Sequence, residues 1–404
     1  MTHLQQALDL PALPPDLRVR LLKTKATGHV YLGDITAAEQ TGPWLVEASY
    51  RSHDPAVVVS AMVFQSQTSF YRGRLARALE LAEEATRRAG TQSAALYLRP
   101  PRIPALWLAT VLTATDRLAD TERVLREGQR EAEALGLGWS LPHWHAARAC
   151  ALLEQGALDD AAVEAEASLM VAGELEITLP NPQARSVLAL VEIRRGDLAK
   201  AKDHLRAVET GSGTNTTQRY GPWVSLARAG LADAEGEDGE AAAALTASFQ
   251  SREPTRLLAV PPSHWPGIVR IALRDKDPSL AQAVSGALRS LTAQDESRQI
   301  IGAVRTHVDG LLHRDPAHWR PPSPATGAPA GRWPWQRPVR TSASSWRHRP
   351  TRRRRSRTSK KPAGWHRPRE PGATKNGSGG ACAGSACAPA PCATTRPAPR
   401  GWGA

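Results

Sequence analysis

Apolar residues along the first 319 positions recur with helical spacing and break at short, regular interruptions. In NPQARSVLALVEIRRGDLAKAKDHLRAVE (181–209), Val187, Leu188, Leu190, Val191 and Ile193 precede a glycine, and Leu198, Ala199, Ala201 and Leu205 follow it. That spacing predicts two amphipathic helices joined by a tight turn. Glycine at the junction suits the left-handed backbone that ends a helix. An acid just after it, such as Asp34, Asp197 or Glu237, is placed to cap the second helix or complement its dipole.

The same signature returns along the chain. It is found in YLGDITAAE (Gly33), YRGRLARAL (Gly73), ATDRLADTE (Asp116), EQGALDDAA (Gly156), RRGDLAKAK (Gly196) and AEGEDGEAA (Gly236), at intervals of 40, 43, 40, 40 and 40 residues. Weaker members follow at Asp275 and Asp315. Small residues recur where the two helices must approach: Ala76 and Ala78, Ala157 and Ala161, Ala199 and Ala201. The pattern predicts an all-α chain, a tetratricopeptide-like α-solenoid of about seven to eight helical hairpins over residues 1–319. The unit exceeds the standard length of about 34 residues, which implies longer helices or inter-repeat loops. An isolated α-hairpin or an ordinary globular helical domain is the competing reading, and the near-equal intervals favour the solenoid.

Charge divides the chain in two. Residues 320–404 hold 18 Lys and Arg against one acid, Glu370, a net +17; the chain's +13 therefore leaves residues 1–319 at −4. The same segment has no Leu, Ile, Met, Phe or Tyr and one Val, Val339. Such a composition cannot bury enough apolar surface to offset chain entropy, so a disordered tail is expected there. The body carries one cysteine, Cys150, which builds no disulfide framework and fits a reducing cytoplasm. The N-terminus lacks the unbroken apolar run of a leader, being interrupted at Pro14 and Pro15. The longest apolar stretch, IPALWLATVL, falls short of the roughly 20 residues that span a bilayer. A cytoplasmic protein without membrane contact is the expectation.

Chemistry-bearing motifs are sparse. There is no phosphate loop, no dinucleotide fingerprint and no nucleophile elbow, and the carboxylates of DAEGEDGE read as solvated caps. No enzyme activity and no cofactor is expected. His143 and His145 in LPHWHAAR, with Cys150, match no standard zinc spacing and read as packing residues at a helix start. Trp107, Trp139, Trp144, Trp223 and Trp265 fall in or just before first helices. Packing between repeats accounts for them best, while Trp107, Trp144 and Trp223 are also candidates to line a concave ligand groove. The run RHRPTRRRRSRTSKK (347–361) could hold phosphates by charge alone, so nucleic acid is expected only as a non-specific partner of the tail.

The tail also has the composition of a G+C-rich coding sequence read out of frame. Taking the last base of each codon with the first two of the next, RTSASSWR (340–347) permits Asp-Leu-Gly-Val-Leu-Leu-Ala. KNGSGGACAGSAC (375–387) likewise permits Glu-Arg-Gln-Arg-Arg-Arg-Leu-Arg-Arg-Leu-Gly-Val. On that reading Cys382, Cys387 and Cys392 are neither a zinc site nor a disulfide knot.

The Ala- and Leu-rich units, with RRGDLAKAK, EQGALDDAA and the closing GLLHRDPA, resemble the helical-repeat region of large ATP-binding LuxR-type transcriptional regulators. The likeness covers residues 1–319. It implies a signal-receiving, protein-interaction region with a protein partner or small inducer on the repeat surface. The family's ATPase and helix-turn-helix have no counterpart here, so no catalytic or DNA-reading residue carries over and a truncated regulator is implied. A stand-alone repeat scaffold, and a nucleic-acid-binding protein acting through its basic tail, are the alternatives.

Overall fold

Prolines mark the helix starts. Pro15, Pro55, Pro142, Pro182 and Pro266 each sit in a first turn, where their missing N–H leaves no bond unmade. A computed structural model describes residues 2–51, 54–90, 104–211, 217–249, 254–275, 278–294 and 299–313. Among the described residues there are sixteen α-helices and no strand. The segment 320–404, with its basic run and three cysteines, and the weak turn at Asp315 lie outside them.

After a short α1 (Thr2–Leu8) the helices pair as hairpins. They are α2 (Pro15–Tyr31) with α3 (Ile35–Arg51), α4 (Pro55–Tyr71) with α5 (Leu75–Gly90), and α6 (Pro104–Ala114) with α7 (Leu118–Ala134). Next come α8 (Leu141–Gln155) with α9 (Leu158–Glu174), α10 (Asn181–Arg195) with α11 (Leu198–Gly211), and α12 (Thr217–Glu235) with α13 (Asp238–Phe249). A final pair, α14 (Trp265–Arg274) and α15 (Pro278–Gln294), is followed by α16 (Gln299–His313). Each second helix packs on its own partner and on the next first helix, and first helices also touch the first helices of adjoining hairpins from α2 to α12. First helices thus form an inner layer and second helices an outer one. One apolar core runs between the layers from Val59 to Val308, with a smaller cluster around Ala26, Leu45 and Phe64.

The hairpin turns explain the period. Gly33, Gly73, Asp116, Gly156, Gly196 and Gly236 all have φ between 59° and 86°, the left-handed conformation that reverses the chain after a first helix. At Gly196 the cap is closed by its own N–H to Ile193 O (3.2 Å) and by Asp197 N–H to Glu192 O (3.0 Å). The Asp34 and Asp197 carboxylates then accept from the N–H groups of Ala37 (2.9 Å) and Lys200 (3.1 Å), satisfying the open first turn of the second helix. At the weaker signal Asp275 the backbone is right-handed, φ −75°, and the two residues after it lie outside the described residues.

Five positions after each of these six hairpin-turn residues stands a small, fully buried one: Ala38, Ala78, Thr121, Ala161, Ala201 and Ala241. Ala76 and Ala199, expected where the paired helices approach, instead face solvent, because two residues along a helix rotate a side chain off the buried stripe.

Charged pairs join successive hairpins beside the turns. Arg72 meets Glu39 at 2.8 Å, Arg117 meets Glu83 at 3.0 Å, Arg195 meets Asp159, and Arg274 meets Asp238 at 3.1 Å. Lys202 to Glu235, 2.6 Å, reverses the polarity. Such exposed pairs contribute about 0.2–1 kcal/mol each and chiefly fix the register of stacking.

Candidate functional site

Three tryptophans expected as groove candidates are core residues. Trp107, Trp144 and Trp223 are 7%, 2% and 6% exposed, so they line no open groove. The Trp107 indole N–H donates to Ser66 Oγ (2.7 Å) while its ring meets Phe70 edge-on, tying α6 to α4. The Trp144 ring lies against Gly128 of α7. Trp265 is fully buried, and Trp139 packs at the margin of the core. The stripe that would face a ligand is the one neighbouring hairpins consume.

His143, His145 and Cys150 do not converge, and the described residues hold no cluster of three metal-ligating groups. His145 Nδ1 lies 2.7 Å from Glu164 Oε2; Arg148 bridges Glu164 to Glu122, joining α7, α8 and α9. The Cys150 thiol accepts from Gln183 Nε2 at 3.2 Å, and burial pushes it far above its usual range, so it stays protonated.

The inner layer does assemble one polar cluster, around Glu154 in the last turn of α8. Two 3-10 helices, Pro254–Ala259 and Pro262–His264, lead into α14. This stretch packs against α4, α12, α13 and α15, and Leu257, Leu258 and Val260 within it are buried. At its end His264 Nε2 lies 2.6 Å from Glu154 Oε1, and the Ser263 hydroxyl donates to Glu154 Oε2. The His264 ring meets Trp223 edge-on at 5.9 Å, and the Trp265 indole N–H donates to Leu257 O at 3.1 Å. The Glu154 and His264 side chains are 6% and 0% exposed.

Two neighbours complete the electrostatics. Burial by itself would raise the Glu154 carboxyl, but His264, Ser263 and Arg194 together hold it below the usual carboxylate range. Arg194, in the last turn of α10, donates to Leu153 O at 3.3 Å; burial lowers it to about 10, against the pull of Glu154. At the left-handed turn Asp116, crowding by the protein pushes the carboxyl up and the Glu154 charge adds to it, although the outer surface of Asp116 stays in water. Both donors close on the carboxylate, so the trio acts as a clasp between α8 and the 257–264 stretch, not as a serine activated by histidine.

Nothing local in the sequence marks this cluster: Glu154 lies 109 and 110 residues from its partners, and its neighbour Gln155 reads as an ordinary helix end. No known protein-family model matches the chain, and no curated relative matches it. No helix among the described residues is long and apolar enough to cross a membrane.

Proposed function

We propose that the hairpin array is a tetratricopeptide-like α-solenoid acting as the signal-receiving, protein-interaction region of a LuxR-type transcriptional regulator in the cytoplasm. The observation that carries this reading is the repeated pairing of a left-handed turn residue with a fully buried small residue five positions on. It makes the hairpins copies of one unit, and stacks of such units present extended surfaces to partners. The link to transcription rests on the resemblance of RRGDLAKAK, EQGALDDAA and GLLHRDPA to that family's repeats. The inner layer, where the stretch before α14 meets α4, α8 and α12, is the surface on which a protein segment or small inducer is received.

Reading the coding nucleotides past Asp315 in all three frames tests the proposal. A helix-turn-helix encoded downstream in a shifted frame supports it. Its absence, together with a capture partner that is not part of transcription, sinks the regulator reading and leaves a scaffold.

A further inference from the structure

In an array held by neighbours alone, hydrogen bonds between side chains should span about one unit. Those joining adjoining hairpins do: Trp107 to Ser66 spans 41 residues and Arg72 to Glu39 spans 33. The bonds from Ser263 and His264 to Glu154 instead skip whole hairpins. The same stretch reaches further still, to α4 in the second hairpin, while also touching α12, α13 and α15.

The sequence of α4 accounts for this reach. PAVVVSAMVFQSQTSFY has apolar residues on nearly every side, and eleven of its residues from Val57 to Phe70 are buried. A helix that is apolar all round must be covered all round. Its own partner α5 and the flanking hairpins cover the sides; the stretch before α14 adds contacts from across the inner layer.

We propose that residues 257–264 form an internal strap that occupies the inner face, and that the face beneath it opens when the strap is released. The strap is held in two ways of different character. Leu257, Leu258 and Val260 are apolar anchors, while Ser263 and His264 clasp Glu154. A buried charged clasp adds less net stability than its contacts alone suggest, because its bonds replace hydration that each group regains on release. Glu154 is also left beside Arg194 rather than stranded. The clasp therefore fixes where the strap sits without making departure prohibitive. The open face would accept an extended segment of the strap's own chemistry: an aliphatic pair followed by hydroxyl and imidazole donors. This inference concerns the inner face itself and stands whether or not the chain belongs to a transcriptional regulator.

The test uses the full chain and a double variant, Ser263→Ala with His264→Ala, which removes the strap's donors and keeps the Glu154 acceptor, followed by hydrogen exchange and mass spectrometry. Exchange in 257–264 and in α4 should rise at least ten-fold, with α9, α10 and α11 unchanged. A synthetic peptide of residues 254–264 should then bind the variant at least ten-fold more tightly than the parent. Uniform acceleration across all hairpins would make the stretch an integral part of the core, and no acceleration would mean the clasp holds nothing; either overturns the proposal, as does equal peptide binding. Should the variant fail to fold, exchange in the unaltered protein at graded urea decides. The strap and α4 must open as one unit below the global transition, and opening only with global unfolding rejects the strap.

Discussion

Gly128 lies in the middle of α7, where alanine would ordinarily improve a helix by about 1 kcal/mol. Here the opposite is expected. A Cβ at that position would stand 2.1 Å from Cη2 of Trp144 and 2.5 Å from Cζ3. Carbon atoms pack at about 3.5–4.0 Å, so the ring would have to retreat by more than an ångström. Trp144 is among the largest fully buried side chains and has nowhere to swing. Overpacking of this kind costs about 1–3 kcal/mol, and the displacement places Gly128→Ala at the upper end. Set against the propensity gain, a net loss of about 2 kcal/mol remains. Urea unfolding followed by far-UV circular dichroism should show a lower midpoint with unchanged slope. In a Trp144→Leu background the ring is gone, so the same alanine should be neutral or stabilising by up to about 1 kcal/mol. An unchanged or raised midpoint for Gly128→Ala with Trp144 present would refute the close approach of α7 and α8.

Other outcomes follow from the turns and the clasp. Gly196→Val should cost about 1–2 kcal/mol or more by thermal melting; no atom lies within 4 Å of the added Cβ, so the cost is backbone strain alone, and Gly196→Asn should recover much of it. Because Glu154 is held below the usual carboxylate range, its stabilisation is present above that range and is lost as pH falls through its folded value. The stability gap between the parent and Glu154→Gln should therefore narrow below about pH 4, and a constant gap would count against the clasp. Asp116 has the opposite sign: its raised carboxyl opposes folding once ionised, so Asp116→Asn, which keeps a residue tolerant of the left-handed turn, should stabilise by a few tenths of a kcal/mol at neutral pH and not at acid pH. Deleting 320–404 should leave the melting temperature unchanged and abolish salt-sensitive DNA retention, checked on a DNA column; specific DNA binding by the shortened chain would contradict the division by charge.

The turns were legible because their cause is local. A glycine in the left-handed region, an acid after it and an apolar run on either side are all written within a dozen residues, as around Gly196. Even Asp116, which breaks the glycine pattern, could be placed by its interval from Gly73 and Gly156. The tryptophans were ambiguous because burial between hairpins and exposure to a groove ask for the same spacing; only the neighbouring chain decides, and at Trp144 it does so through Gly128. Glu154 and His264 were invisible for a different reason. Neither forms a motif with its neighbours, and what pairs them is a contact between α8 and the stretch before α14 that no local pattern carries.

The contact between the strap and α4 bears on how such a chain can be shortened or lengthened. A row of identical units tolerates trimming from either end, since each lost unit uncovers only the next. Here the stretch before the seventh pair also covers part of the second, so removing α14 and that stretch would uncover one side of a helix some two hundred residues upstream. The array is in effect a closed circuit: a unit added or removed between α4 and α14 would carry that stretch past its seat, and change in the number of hairpins is constrained by geometry as well as by folding.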